Sequence, residues 1–267
     1  MNSLHKRCLI VPCLWLLTCL TANWAEAQSA KVLTTHKLKQ YVNYFNTVDQ
    51  EEAVKNYVPN DQSFEWLSKN IPLFDCPDSA LNTIYYYRWW AFRKHLKETP
   101  EGFIFTEFIT KMNHAGKYNA ISSALGHHIY EGRWLHTPEY IDDYISFWLY
   151  VDPKHTVQRF HAFSSWVDDA VYKRYLVNLD KPFVQKNLLT LDADYRKWQQ
   201  EKQLPSGLFW QFDVRDAMEE SISGSRKDKN RRPTINSYMY VNAKALAAMA
   251  ALVKNDTLQR RYEQQAT

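Results

Sequence analysis

Glycine is scarce in this chain: 6 occur in 267 residues, against a usual share of roughly 7%. Many-stranded sandwiches and barrels turn tightly and often, and their turns draw on residues that tolerate a positive φ. Helices joined by longer loops make no such demand. Aromatic residues reach 15%, with 10 Trp and 17 Tyr, so there is ample bulky side chain to bury. The length suits one large domain or two small ones. With 45% hydrophobic and 23% charged residues, a disordered chain is excluded. The expected class is all-α.

Residues 1–27 read as a signal peptide. His5-Lys6-Arg7 is a short basic start, residues 8–20 are apolar, and Ala25-Glu26-Ala27 before Gln28 has the small-x-small form of a cleavage site. The apolar run is too short for a membrane span of about 20 residues, and no comparable run follows. Export to the periplasm or the medium is therefore expected. Lipoprotein anchoring is disfavoured, because Thr18 stands before Cys19 where a lipoprotein signal has Gly or Ala. Cleavage removes Cys8, Cys13 and Cys19, which leaves Cys76 without an intramolecular partner. It also removes two cations and one anion, so the net charge falls from +4 to +3. That is too little for an electrostatic nucleic-acid binder. The basic string Arg226-Lys227-Asp228-Lys229-Asn230-Arg231-Arg232 reads as a solvated loop.

Six segments carry helical periodicity. The first runs through Leu81, Ile84, Tyr85, Trp89, Phe92 and Leu96, with Asp78 and Ser79 as candidate caps. The second, 118–135, is interrupted by Gly126 and Gly132. The third opens at Thr137-Pro138 and continues through Ile141, Ile145, Trp148 and Leu149. The fourth, 163–179, aligns Val167, Ala170, Val171 and Arg174. In the fifth, Asp180 caps, Pro182 opens, and Val184, Leu188, Leu191, Tyr195 and Trp198 repeat at steps of three and four. The sixth, 235–253, packs through Ala243, Leu246, Ala247 and Ala250. Such spacing suggests stacked helical hairpins. Residues 98–116 and 203–234 read as aromatic and charged loops, where function usually sits. Residues 28–78 are an N-terminal extension or a first hairpin.

Motifs for nucleotide cofactors and serine hydrolases are absent, and no cofactor is expected. His127-His128-x-x-Glu131 does not read as a metal site, because adjacent histidines point to different faces of a helix, where a zincin needs them four apart. The distinctive pattern is carboxylates set among aromatics and arginine. It recurs in Tyr85-Tyr86-Tyr87-Arg88-Trp89-Trp90, in the 126–134 string, in Trp166-Val167-Asp168-Asp169, and in 210–221. Flat rings cover the C–H face of a sugar while Asp, Glu, Arg, His and Asn answer its hydroxyls. Glycoside cleavage adds one carboxylic acid and one carboxylate across the scissile bond, the acid held protonated by apolar neighbours. Trp89 lies on its helix's apolar stripe and reads as core. Arg88 and Trp90 lie off it and read as pocket residues. Glu131 pairing with Arg133 or His128, and Asp168 with Asp169 forming a solvated face, stand as structural alternatives.

The strings Tyr87-Arg88-Trp89-Trp90-Ala91-Phe92-Arg93-Lys94, Gly116-Lys117-Tyr118-Asn119, the 126–135 segment, Arg215-Asp216-Ala217-Met218-Glu219 and Arg232-Pro233-Thr234-Ile235-Asn236-Ser237-Tyr238-Met239-Tyr240 resemble exported bacterial proteins with a mannosylglycerate-hydrolase-like glycoside hydrolase domain. That group is related to glycoside hydrolase family 63 and the trehalases. The resemblance runs from about Ser79 to the C-terminus. It implies an (α/α)6 toroid of helical hairpins with its active site at the mouth, and an inverting mechanism with two carboxylates. In the relatives the general acid lies in a segment resembling Glu-Ser-Gly-x-Asp, followed by a helix opening with Asn. Here the stretch is Met218-Glu219-Glu220-Ser221-Ile222-Ser223-Gly224, leading to Asn236, and no Asp stands at that spacing. A six-hairpin toroid also has about twice as many helices as this sequence announces, and in the relatives the general base lies in hairpins beyond Thr267. The toroid-like array of 79–267 is accordingly expected to be incomplete at its C-terminus.

These readings converge on hydrolysis of a glycosidic bond in an oligo- or polysaccharide. Glu219 or Asp216 is the expected acid, and the base is sought among Glu131, Asp168 and Asp169. Arg88, Trp90, His127, His128, Glu131, Trp134, Asp168, Trp210 and Asn236 are expected to line the sugar subsites. The alternatives are a non-catalytic glycan-binding module, an inactive fragment of such an enzyme, or a helical scaffold that shows its loops to a protein partner.

Overall fold

The computed structural model describes residues 33–151, 160–217 and 228–266. The residues from Thr35 to Thr267 group as one unit, separate from Met1–Thr34. The expected signal peptide lies outside the described residues, and the fold below is that of the Thr35–Thr267 unit. Its α-helices are α1 (Thr35–Val48), α2 (Ser63–Asn70), α3 (Ser79–Lys94), α4 (Leu125–Gly132), α5 (Glu139–Ser146), α6 (Val167–Asn178), α7 (Lys181–Lys202), α8 (Pro233–Leu252) and α9 (Asp256–Gln265). One hairpin of strands, β1 (Leu96–Thr99) and β2 (Gly102–Phe105), sits between α3 and α4.

The helices form a toroid-like array. α4 packs on α6 and α6 on α8, while α3 joins the row through Phe92 against His128. α5, α7 and α9 each fold back against the helix before them. At the N-terminal end, α1 and α2 pack on each other and on α3. One continuous core fills the interior, in which Tyr86, Tyr144, Trp148, Tyr195 and Trp198 are almost fully buried. Each side chain of that size stabilises the fold by roughly 1.5–3 kcal/mol through burial.

Local signals set several helix ends. Asp78 accepts hydrogen bonds from the backbone N–H groups of Ala80 and Leu81 at 2.8 and 3.3 Å, and Asp180 accepts one from Phe183 at 3.1 Å. Both act as the N-caps their positions suggest. Thr137 does not cap α5, whose first turn instead closes on the Pro138 carbonyl. The helix expected over 118–135 begins only at Leu125. Tyr118 and Asn119 stand at φ of 61° and 64°, in the left-handed region, and Ala120 and Ile121 are extended.

The stripe assigned to α3 is rotated. Leu81 and Ile84 are 53% and 56% exposed, whereas Trp89 and Trp90 are both 6% exposed. Within the stretch read as loop, Phe103, Ile104 and Phe105 form β2. A tight turn reverses the chain there, with Thr99 opposite Gly102 at φ 106°. A side chain at Gly102 would meet Asp143 Oδ2 at 2.7 Å, where that carboxylate accepts the Phe103 N–H at 3.0 Å. Arg232, expected in a solvated loop, is turned inward toward Asp213, with its Nη1 3.4 Å from Oδ1.

Candidate functional site

A cavity of about 600 Å³ opens beside α4, bounded by Arg88 of α3, Glu107, Ala217 and, from the stretch through α4, Ser123, Ala124, His127, His128, Tyr130, Glu131 and Arg133. The segment that carries Glu107 is held by Asn119. That side chain donates to the Phe108 and Thr110 carbonyls at 3.1 and 2.6 Å and accepts from the Met112 N–H at 3.1 Å. Its backbone carbonyl takes the Glu107 N–H at 3.0 Å. Asn is among the few residues that hold a left-handed conformation at little cost. One such residue thus shapes the loop that presents Glu107.

Aromatic side chains meet beside this cavity where α4, α6 and α8 converge. His127 stands perpendicular to Trp166 at 4.6 Å, Tyr130 lies 6.2 Å from Trp166, and Tyr238 lies 4.5 Å from it. Gly126 makes room, since a Cβ there would come within 2.3 Å of the Trp166 ring. The adjacent histidines diverge as helical geometry requires. His127 is exposed at the cavity, and His128 turns to the Tyr144 hydroxyl, 3.1 Å from its Nδ1. Burial, with His95 and His127 nearby, lowers the His128 pKa to about 3, so its imidazole is neutral at physiological pH.

Four carboxyl groups belong to this region. Burial raises the pKa of Glu107, which favours the protonated form a general acid needs. Glu131 pairs with Arg88, whose Nε lies 2.8 Å from Oε1. Asp169 accepts the Tyr130 hydroxyl hydrogen bond. Asp216 precedes Ala217 and is buried, accepting from the Ser164 hydroxyl. Burial raises its pKa, although Ser164, Thr234 and Arg232 work against that rise. The arrangement offers carboxyls whose pKa is raised and a carboxylate paired with arginine, together with flat rings and cationic donors. Among the described residues, no group of three or more His, Cys, Asp or Glu is placed to hold a metal ion.

Of the residues expected at the site, Arg88, His127, His128 and Glu131 line this one cavity, and Asp216 lies next to its edge. Glu131 pairs with Arg88 rather than with Arg133 or His128. Trp90 does not reach the cavity: it packs on Phe45 and donates from Nε1 to Asn46 at 2.8 Å. Trp134 borders a different pocket. Asp168, weighed as a solvated or sugar-facing acid, is buried away from water, where nearby Asp194, Asp169 and Asp192 add to the burial that raises its pKa well above the usual range. Trp210 is held between the Lys202 and Lys229 ammonium groups, 4.2 and 4.5 Å from the ring centre. Asn236 spends its amide on the backbone of Phe209 and Arg232. Glu219 lies outside the described residues.

The structure adds Glu107, Tyr130, Arg133 and Ala217 to the lining, with Trp166 and Tyr238 behind it. Tyr130 and Arg133 lay inside a string already singled out. The signal for Glu107 was an acid set directly in the aromatic run Phe103-Ile104-Phe105-Thr106-Glu107-Phe108.

Comparison with known proteins agrees with this architecture. A search of the curated proteins finds no match. A solved structure named "Sialidase" superposes with a TM-score of 0.84 at 44% sequence identity, over 88% of this chain and 22% of that one. The chain thus spans less than a quarter of the solved chain's length. The family model of the mannosylglycerate hydrolase MGH1-like glycoside hydrolase domain matches residues 117–267, more than half of the sequence and all of the row from α4 to α9. The chain belongs to the MGH1-like glycoside hydrolase domain family.

Proposed function

We propose that this domain is exported and hydrolyses a glycosidic bond of an oligo- or polysaccharide bound in the cavity beside α4. The observation that carries the reading is the meeting of Glu107, Glu131 and Ala217 with its neighbour Asp216 around one opening lined by Tyr130, His127 and Arg88. The acid that protonates the leaving oxygen is Asp216 or Glu107, whose burial favours the protonated form; Glu219 is the further candidate from the family resemblance. The carboxylate that activates water is Glu131 or Asp169, and an inverting route needs roughly 6.5–9.5 Å between the two groups.

The test is sugar release from a panel of neutral and acidic glycans, with sialosides included because of the solved chain's name. Glu107→Gln, Asp216→Asn, Glu219→Gln and Glu131→Gln variants accompany it. Loss of about 10²–10⁴-fold in rate marks the acid and the base, and NMR of the first-formed anomer reads the stereochemistry. No release by the folded protein across the panel overturns the proposal.

A second reading, a glycan-binding module without turnover, is favoured by one observation. The two best-placed acids are engaged, Glu131 by Arg88 and Asp216 by Ser164. Binding without release in the same panel would establish it.

A further inference from the structure

Trp134 is the one exposed tryptophan among the described residues, 48% exposed, and the cavity beside α4 does not use it. It borders a separate pocket of about 290 Å³ where α4 and α6 end, together with Arg133, His136, Ile141, Arg174 and Asn178. Arg133 and Arg174 line this pocket, and each keeps buried N–H groups without an acceptor among the described residues. The Arg174 side chain is 2% exposed, and its Nη2 serves Asp142 at 2.5 Å and Asp180 at 3.5 Å. Its Nε and Nη1 find no acceptor among the described residues. Arg133 lies 5.3 Å from the Trp134 ring centre, and its Nε and Nη1 also lack acceptors there. His136 Nδ1 donates to the Lys69 carbonyl at 2.9 Å, which leaves Nε2 as an acceptor.

We propose that this pocket is a second saccharide site, separate from the larger cavity, that takes one carboxylate-bearing sugar unit. Its volume of about 290 Å³ is at the lower end of small-molecule sites, which start at about 300 Å³, so it suits one ring of a saccharide at a time. The apolar face of that ring lies on Trp134 and the Ile141 side of the pocket. Its oxygens answer the unmet N–H groups of Arg133 and Arg174. Arg174 already faces two carboxylates, whereas Arg133 makes no ion pair among the described residues. A carboxylate on the ligand gives Arg133 the ion pair that no described residue supplies, and a neutral sugar leaves it without one. The site requires no turnover in the larger cavity, so it stands or falls apart from the hydrolytic reading.

Affinity electrophoresis of the full chain in gels containing polygalacturonate or neutral galactan tests it. Arg133 borders both cavities, so the variants are Trp134→Ala, Trp134→Tyr and, for the larger cavity, Arg88→Ala. Polygalacturonate is expected to retard the native chain and galactan to leave it free. Trp134→Ala should weaken retardation about fivefold or more, and Trp134→Tyr, which keeps a stacking face, by about twofold at most. Equal retardation by galactan, no retardation of the native chain, or unchanged binding by Trp134→Ala would each overturn the proposal. So would loss confined to Arg88→Ala, which places the ligand in the larger cavity, or a dimer in sedimentation that dissociates on Trp134→Ala.

Discussion

Asp168 and Asp169 are neighbours at the start of α6, and the fold sends them to two different regions. Asp169 faces the cavity wall, where it meets the Tyr130 hydroxyl. Asp168 faces the interface of α6 with α7 and α9, near Asp192 and Asp194. In the wall, acids meet phenol, hydroxyl or guanidinium groups, as Asp169 meets Tyr130 and Glu131 stands by Arg88. In the interface, charge is settled by fixed partners. Asp192 has the Tyr262 hydroxyl at 2.7 Å, Arg196 at 2.9 Å and Arg261 at 3.2 Å. Asp194 has His161 Nε2 at 2.8 Å, while Glu201 holds the other side of that ring at 2.7 Å. Asp168 has no partner for either oxygen among the described residues. Adjacent acids beside one tryptophan thus meet a phenol hydroxyl in one region and a partnerless interior in the other.

The sharpest way to break this contrast is His161→Ala. The ring also stacks on Trp198 at 4.3 Å, and its loss strands Asp194 in the interior, so urea denaturation should show a loss of about 3–5 kcal/mol. Burial pulls the His161 pKa down, but Asp194 and Glu201 together outweigh it and leave it raised. The contribution of the imidazolium is therefore fully present below the ordinary histidine range and declines as pH climbs through the raised value. A cost under about 1 kcal/mol at pH 6 would refute the clamp.

On the wall side, Gly126→Ala drives a methyl group into Trp166 and should cost about 1–3 kcal/mol by thermal melting. The native melting temperature would show that the ring has other room.

Asp168→Asn sharpens the comparison in the opposite direction. Because burial raises the Asp168 pKa, the folded state holds a proton the unfolded chain releases, and stability falls as pH rises above the unfolded value of about 3.9. The amide removes that dependence. A gain on the order of 1–2 kcal/mol is expected at pH 7, shrinking toward nothing at pH 3. An equal effect at both pH values contradicts the protonated assignment.

The smallest effect is expected from Arg88→Ala. The Arg88–Glu131 pair is open to solvent, so stability should change by less than about 0.5 kcal/mol while saccharide binding weakens. A large stability loss would move this pair from the site to the scaffold.

The sequence showed most clearly what depends on local spacing. α7 is legible because its apolar residues recur at steps of three and four behind Asp180, and α3 because Asp78 caps it. Less was visible where tertiary contacts decide. The α3 face is rotated because Tyr86 and Trp90 meet α1 through Tyr41 and Phe45, contacts far apart in the chain. The strands β1 and β2 are four residues each and turn without an Asn-Gly or Asp-Gly signal. At the site, the 126–134 string held five of the cavity's residues, whereas Glu107 is placed through the backbone of Asn119. No spacing rule separates Asp168 from Asp169, since adjacent helix positions differ by direction alone.

The Asn236 amide has a consequence for how the molecule opens. It answers both the N–H and the carbonyl of Phe209 as well as the Arg232 carbonyl, tying the stretch after α7 to the first turn of α8. Neither end can fray without exposing the other's backbone groups, so the two behave as a single cooperative unit in hydrogen exchange. The Phe209 amide, though it lies outside any helix, should then exchange at the pace of the first turn of α8 and report whether a ligand at the nearby cavity edge tightens or loosens that unit.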